Sequence, residues 1–499
     1  MRRTIVAVPL TALLITCCDR AHSVPEPGFQ PVFPPLRGEL LSYSSPNAAD
    51  LNGDGVLDIV YGTGVDRLRP VDGRWVLSDE PAIAGYVTAV SGATNDILWR
   101  VSNGGEAFTM PRFALLNGDR VPDVLMGGRQ GSFAAYDGTS GAVLWRVLPE
   151  QVAETPDPYN FFTPATIGDV TGDGVADFVV AYGGNDTRLP EDPRDPGFVV
   201  AVSGADGSVL AVHQTPDGRE TYSSVVTYAR DDGSVWLVFG TGGEKHGGAA
   251  YRAPATSLLD GTFADRVEPL ISIGEKGVMA PATLVELTND GELDIVISTF
   301  DARLFVIDGS TGDIIWERHD EREESYHPAA VVRVSRDGRL GLFVSRAIGV
   351  FPTYAGNVHR LFDARDGTIL YQYRDPLDPT AAPLAIDLTG DGIDEPVFFG
   401  ARGRVHILHG LSGELIVHDV PANFAATPMI VDARGTGALE LVGVMWHNAN
   451  EDGTLAEWRN LSSELVRLDL NATAPAFMGW TRYMGTHADG WFRRPPATE

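Results

Sequence analysis

Asp50-Leu51-Asn52-Gly53-Asp54-Gly55-Val56-Leu57-Asp58, followed by Ile59-Val60-Tyr61, is the stretch whose reading decides the fold. It places side-chain oxygens at its first, third, fifth and ninth positions, between two apolar runs. A hard cation such as calcium takes six to eight oxygens in a flexible shell. Asp50, Asn52, Asp54 and Asp58 supply side-chain oxygens, and the carbonyl of Val56 adds another. Gly53 and Gly55 let the backbone curl tightly enough for them to converge. The β-branched and aromatic residues that follow read as a strand leaving the loop.

The phrase returns along the chain. Asp169-Val-Thr-Gly-Asp-Gly-Val-Ala-Asp177, Glu286-Leu-Thr-Asn-Asp-Gly-Glu-Leu-Asp294 and Asp387-Leu-Thr-Gly-Asp-Gly-Ile-Asp-Glu395 are good copies, and weaker ones begin at Leu115, Tyr228, Arg333 and Asp432. The copies stand roughly 45 to 65 residues apart, the period of a propeller, a solenoid or an array. A proline, as in Ser45-Pro46, Met110-Pro111 and Thr163-Pro164, stands shortly before most loops, where a strand can begin without a ladder donor. A second phrase follows each loop, clearest in Ala135-Tyr-Asp-Gly-Thr-Ser-Gly-Ala-Val-Leu-Trp145: an apolar run, a glycine turn and another apolar run make a hairpin. The unit is strand, acidic loop, strand, variable connection, strand, turn, strand. This predicts an all-β chain forming an eight-bladed β-propeller of four-stranded antiparallel blades, with a seven-bladed ring as the runner-up. Solenoid repeats are shorter and more even.

With 38 basic and 67 acidic residues, the net charge of −29 argues against nucleic acid as a partner. At the N-terminus, Arg2 and Arg3 precede the apolar run Thr4 to Thr16, which is too short to span a membrane and has the length of a signal-peptide core. Leu14-Ile15-Thr16-Cys17 resembles a bacterial lipoprotein signal, which implies that Cys17 carries the lipid; Cys18 is a second candidate, and plain secretion with cleavage nearby is the bland alternative. The domain reading is a signal over 1–17, a Pro-rich extended tether over 18–38, and the propeller, with eight repeats, over 39–499. Cys17 and Cys18 are the only cysteines, so the mature domain has no disulfide.

The acidic loop with its following strand resembles the FG-GAP/VCBS repeat of integrin-type propellers. The Asp-Gly-Thr-x-Gly-x-x-Leu-Trp phrase is similar to the repeat of quinoprotein-type propellers. The first resemblance implies calcium between the first two strands of a blade, wherever the oxygens are kept. The expected ligands are Asp50, Asn52, Asp54, Val56 and Asp58 in loop one, and Asp169, Thr171, Asp173, Val175 and Asp177 in loop three. Loop five offers Glu286, Thr288, Asp290, Glu292 and Asp294; loop seven offers Asp387, Thr389, Asp391, Ile393 and Glu395, with Asp394 as a substitute. Loop two has Leu115 in first place and keeps Asn117, Asp119 and Asp123. Loops four, six and eight carry Arg230, Arg333 and Arg434, whose guanidinium beside Asp232, Asp337 or Asp432 would stand in for the cation. Plain Asp/Gly hairpin turns are the alternative for every loop.

Strand order puts the acidic loops and the Asp-Gly hairpins on one rim. The opposite rim collects the long middle connections and the crossings between blades: Glu106 to Phe108, Tyr159 to Phe162, Glu220 to Tyr222, Glu324 to His327 and Asn423-Phe424. Aromatics mixed with polar groups suit a sugar or a peptide; plugging the channel mouth is the bland reading. His246, His327, His359 and His447 lie in different repeats without the spacing of a zinc helix, and no Gly-x-Ser-x-Gly, Walker loop or Cys-x-x-Cys-His is present. The expectation is therefore a non-enzymatic, calcium-binding propeller in the cell envelope (periplasm or outer membrane) or secreted. It binds or scaffolds a protein or carbohydrate and touches the membrane only through an N-terminal lipid. The alternatives are a propeller enzyme, either a quinone-dependent dehydrogenase or a polysaccharide lyase, and a subunit of outer-membrane protein assembly.

Overall fold

The computed structural model describes residues 29–493 apart from 39, 66–67, 72–73, 78–82, 130, 156–158, 186–187, 189–190, 352, 376–380, 401–402, 411, 421–422, 425 and 448–461. The signal, Cys17 and the first part of the tether lie outside the described residues.

Eight antiparallel blade sheets follow one another along the chain, as the repeat predicts, and a separate two-stranded hairpin, Leu68–Val71 with Arg74–Leu77, lies in the middle connection of the first. Blade one runs from Asn47–Ala49 through Asp58–Gly62 and Tyr86–Val90 to Ile97–Ser102. Blades two to seven repeat this order, and in blades three and six the inner strand comes in two segments. Most inner strands start just after the proline marker, at Asn47, Arg112, Ala165 and Met429 among others. Neighbouring blades share their cores: one cluster joins Val87, Ala89 and Trp99 of blade one to Val124, Met126 and Tyr136 of blade two.

Blade eight closes the ring. Its inner three strands are Met429–Val431, Ala438–His447 and Ser462–Thr473. Its outermost strand is Leu36–Gly38 from the other end of the chain, paired from Leu36↔Leu465 to Gly38↔Ser463. Ile59, Tyr61 and Val90 of blade one pack against Met429, Val442 and Val444 of blade eight. The tether expected over 18–38 thus ends earlier. From Phe29 onward the chain is docked, its N–H donating to the Asp469 carbonyl and that of Val32 to the Arg467 carbonyl. An otherwise free sheet edge is the physical reason, since among the described residues blade eight has no fourth strand of its own.

The end of the chain does something different again. After Thr473 it leaves the blade and runs down the central channel, although the repeat reading assigned it to the propeller's eighth unit. Trp480 and Ala385 exchange backbone hydrogen bonds, the Ile430 N–H donates to the Thr481 carbonyl, and the Leu284 N–H donates to the Gly490 carbonyl. Arg482 reaches Asn47, and Arg112 donates to the His487 carbonyl. Each inner strand has one unpaired edge facing the axis, and this segment satisfies several of them. Trp480 is among the largest fully buried side chains of the protein.

Blade four departs from the repeat: its third strand is Gly248–Pro254, and two helical turns, Ser257–Asp260 and Phe263–Arg266, occupy the hairpin position.

In blades one, two, three and five the two sequence phrases meet at one glycine peptide. In blade two, Asp123 accepts from the Leu116 and Gly138 N–H groups at 2.9 and 3.1 Å, and Trp99 of blade one donates to the Gly138 carbonyl at 2.7 Å. In blade three, Asp177 accepts from Val170 and Gly204, and Trp145 donates to the Gly204 carbonyl. A Cβ on Gly204 would stand 1.9 Å from the Ala176 carbonyl oxygen, so glycine is required there. In blade six the ninth loop position is Gly341 and the turn residue is Ala364, whose carbonyl still accepts from Trp316. Where the carboxylate is missing, the Ala364 N–H donates instead to the Leu340 carbonyl at 3.1 Å, and the turn carries a side chain.

Two predictions follow from this packing. Gly204→Ala should lower stability by about 3 kcal/mol, as an overpacked core site does, whereas Ala364→Gly should cost less than about 1 kcal/mol. Denaturant unfolding midpoints of the two variants decide it, and equal costs would contradict the close-approach argument. A mature chain starting at Leu41 lacks the closing strand and should aggregate or melt well below the full-length mature chain in a thermal scan. An unchanged melting temperature would contradict strand-exchange closure.

Candidate functional site

The acidic loops lie together with the hairpin turns on one rim, as expected. Their first carboxylates fold back on their own loops. Asp50 accepts from the Gly53 and Gly55 N–H groups at 2.7 and 2.9 Å, Asp169 from Gly172, Asp173 and Gly174, and Asp387 from Gly390, Asp391 and Gly392. Glu286 accepts from Asn289. Gly53 and Gly55 have φ of 76° and 82°, the left-handed region that the curl needs. At the third position Asn52 accepts from the Asp54 N–H; the hydroxyls of Thr171 and Thr389 donate to the first carboxylate, and that of Thr288 to Asp294. At the fifth, Asp54, Asp173, Asp290 and Asp391 accept from the N–H of Val56, Val175, Glu292 and Ile393.

The ninth position is different in kind. Asp58, Asp177, Asp294 and Glu395 are fully buried and bond the hairpin turn. Burial raises the pKa of Asp58, and the nearby carboxylates Asp54 and Asp50 add to the rise. Among the described residues, no three His, Cys, Asp or Glu side chains already stand together as a metal cage. An ionised carboxylate has about four lone-pair directions, so its two N–H bonds leave Asp50 with donor capacity, whereas three N–H groups and the Thr171 hydroxyl occupy Asp169. Loop seven carries the clearest spare donor: Asp391 is 9 % exposed and its Oδ2 has no hydrogen-bond partner.

The arginines of the weaker loops reach further than their spacing implies. Arg434 does pair inside its own loop, with Glu440 at 2.5 Å. Arg333 instead crosses to blade seven and grips Asp394, whose Oδ2 also accepts the Arg333 N–H. That removes Asp394 as a substitute ligand. Arg230 crosses to Glu292 of blade five at 3.2 Å.

The opposite rim holds a cavity of about 370 Å³ at the mouth of the channel. The crossings into blades one to six and blade eight contribute to its wall, and Tyr483 of the channel segment also lines it, closing the inner end. Phe108, Asn160, Phe162, Tyr222, Tyr326 and His327, all in the crossings singled out from sequence, line it. Phe108 and Phe162 meet edge-on with centroids 5.5 Å apart, and Phe162 and Tyr222 do so at 6.2 Å. Arg129, Arg188 and Arg194 from the middle connections also face the cavity. Burial pushes Glu220 up to about 7, against the pull of Arg194, whose Nε stands 3.4 Å from it. Burial raises the carboxyl of Glu244 as well and pushes the imidazole of His327 down to about 4. The other histidines do not assemble with His327: His359 is fully buried and bonded to Ser345, and the side chain of His447 lies outside the described residues.

The fold and its sites define a β-propeller with quinoprotein-type turns. A family model described as outer membrane protein assembly factor BamB matches residues 38–235, which cover blades one to three and the start of blade four. No curated protein matches the chain. A europium-containing methanol dehydrogenase superposes with a TM-score of 0.54 at 10% identity, covering 83% of this chain and 90% of that one. The quinohemoprotein alcohol dehydrogenase of Comamonas testosteroni gives 0.53 at 12% identity, covering 86% and 78%. BamB from Moraxella catarrhalis gives 0.47 at 12% identity, covering 84% and 96%. These likenesses are likenesses of fold.

A carboxyl whose pKa rises on folding favours the protonated folded state. Below pH 4.5 Glu220 is protonated in both states. Between pH 4.5 and about 7 only the unfolded chain ionises, so stability falls with rising pH, by at most about 1.4 kcal/mol per pH unit. Glu220→Gln should remove that component. Unfolding free energies of both proteins from pH 4 to 8 should converge at low pH relative to their difference at pH 8; a difference constant with pH would contradict the raised pKa.

Proposed function

We propose that this protein is an extracytoplasmic binding propeller whose ligand enters the channel mouth, while calcium braces the opposite rim. The observation that carries the binding half is the blind cavity itself. Crossings from seven blades converge on it, and their aromatic residues, in edge-on contact with one another, line its wall and leave the space between them open. Loops held on a rigid scaffold are where recognition usually sits, and a concave, largely apolar pocket with a few polar groups is the usual form of a small-ligand site. The signal-like N-terminus supports a location outside the cytoplasm, with Cys17 as the anchor.

Binding suits the cavity better than redox chemistry. A polyanionic quinone would call for spare cations, and here each arginine is already engaged. Arg129 pairs with Glu106, Arg194 with Glu220, and Arg188 with Asp195. A role in outer-membrane protein assembly is the second reading, favoured by the family match over residues 38–235.

For calcium, the donor set fits a hard cation: oxygens only, several of them charged, with mutual repulsion that a divalent ion relieves. The unpartnered Oδ2 of Asp391 supports the same reading. Loops one, three, five and seven should therefore hold about four ions per chain. Asp54→Ala and Asp173→Ala should each remove one, and Asp337→Ala none. Elemental analysis after dialysis counts them, and chelation should lower the melting temperature by mass action. A count of zero with no thermal response to calcium would make these loops plain turns.

The binding half is tested by exposing the intact mature protein to an envelope extract, washing, denaturing it, and identifying the released compounds by mass spectrometry. A compound retained by wild type should be absent from Tyr326→Ala. Retention of nothing, or identical retention by the variant, would contradict a ligand site at the mouth.

A further inference from the structure

The charged groups of the channel mouth satisfy one another. Arg129 lies 3.4 Å from Glu106 and covers the Phe108 ring at 4.7 Å. Arg194 pairs with Glu220 and donates to the carbonyls of Asn185 and Arg188. Tyr326 donates to Glu244 at 3.4 Å. What remains for a ligand is of another kind: the rings of Phe162, Tyr222 and Tyr326, and neutral hydrogen-bonding groups. Among the latter, Asn160 is 3% exposed and its Oδ1 has no partner. His327 offers an imidazole that burial keeps neutral, one nitrogen donating and the other accepting.

Aromatic faces with a few neutral donors and acceptors suit a ring that is apolar on its flat face and polar at its edge. A pyranose has that form: axial C–H groups stack on an aromatic face and equatorial hydroxyls radiate into hydrogen-bonding distance. The cavity volume of about 370 Å³ holds about one or two such rings. Tyr483 and the channel segment block onward passage, so a polymer cannot thread through.

We infer that the channel mouth binds the end of a neutral saccharide, stacked between its aromatic walls and bonded by the amide of Asn160 and the imidazole of His327. This rests on the reading of the mouth as a ligand site. Anionic sugars are disfavoured because no arginine is left unpaired to receive them, and a flexible peptide gains less from rigid flat walls.

The test uses the intact mature protein on an array of neutral oligosaccharides, with sialylated and uronic-acid glycans and short peptides as competitors. Titration calorimetry then measures the retained sugar. At least one neutral glycan should be retained, and Tyr326→Ala and Asn160→Ala should each weaken it tenfold or more. Tyr326 is partly exposed, so its truncation leaves the fold intact, and circular dichroism checks both variants. Retention of no neutral glycan, preference for anionic ones, or equal binding by both variants overturns the inference. If envelope compounds of another class are still lost from Tyr326→Ala, the inference alone falls and the ligand site stands. If nothing is retained from the extract either, both fall.

Discussion

Everything else depends on a glycine peptide held from two sides. In blades one, two, three and five, a buried aspartate of the same blade accepts the N–H of the hairpin glycine. A side chain from the preceding blade donates to that glycine's carbonyl: Arg467 to Gly92, Trp99 to Gly138, Trp145 to Gly204 and Arg252 to Gly309. One bond fixes the loop rim within a blade and the other fixes the angle between blades. A buried carboxylate is costly unless its lone pairs are satisfied, and here each accepts from two or more backbone groups. Removing the carboxylate would strand those donors, while removing the tryptophan would open a cavity worth about 3–5 kcal/mol.

This division of labour separates the two rims. The acidic rim is tied to the core through its ninth-position carboxylates, so what binds there alters rigidity. The other rim has no such ties. Its connections vary in length from blade to blade, its aromatics face a cavity, and its buried charges neutralise one another. The C-terminal segment completes the arrangement by occupying the channel below the cavity. It caps inner-strand edges that would otherwise be unpaired and turns a through-channel into a blind pocket.

Much of this was legible because it is local. The nine-residue loop and the glycine turn carry their geometry in their own spacing, so blade number, strand order and the two rims could be read directly. The crossings that line the cavity were legible too, since aromatics there had no strand to belong to. Long-range substitutions were not. Arg252 and Arg467 take the place of tryptophan, and nothing in their own repeats announces it, because the partner is a carbonyl in the next blade. Arg333 was placed by spacing beside Asp337, yet it reaches Asp394, which an adjacent blade presents at 2.5 Å. The three-residue closing strand Leu36–Gly38 sits in a proline-rich stretch with no period of its own. The channel segment around Trp480 has neither helical nor strand periodicity, since its backbone partners are the edges of several different strands.

Amide hydrogen exchange of the intact protein, with and without a saturating mixture of neutral oligosaccharides, tests the central claim most directly. The account predicts new protection confined to the crossings near Phe108, Phe162, Tyr222 and Tyr326 and to the segment around Tyr483, with the acidic rim from Asp50 to Asp58 unchanged. Protection appearing on the acidic rim, or spread evenly over the ring, would contradict it.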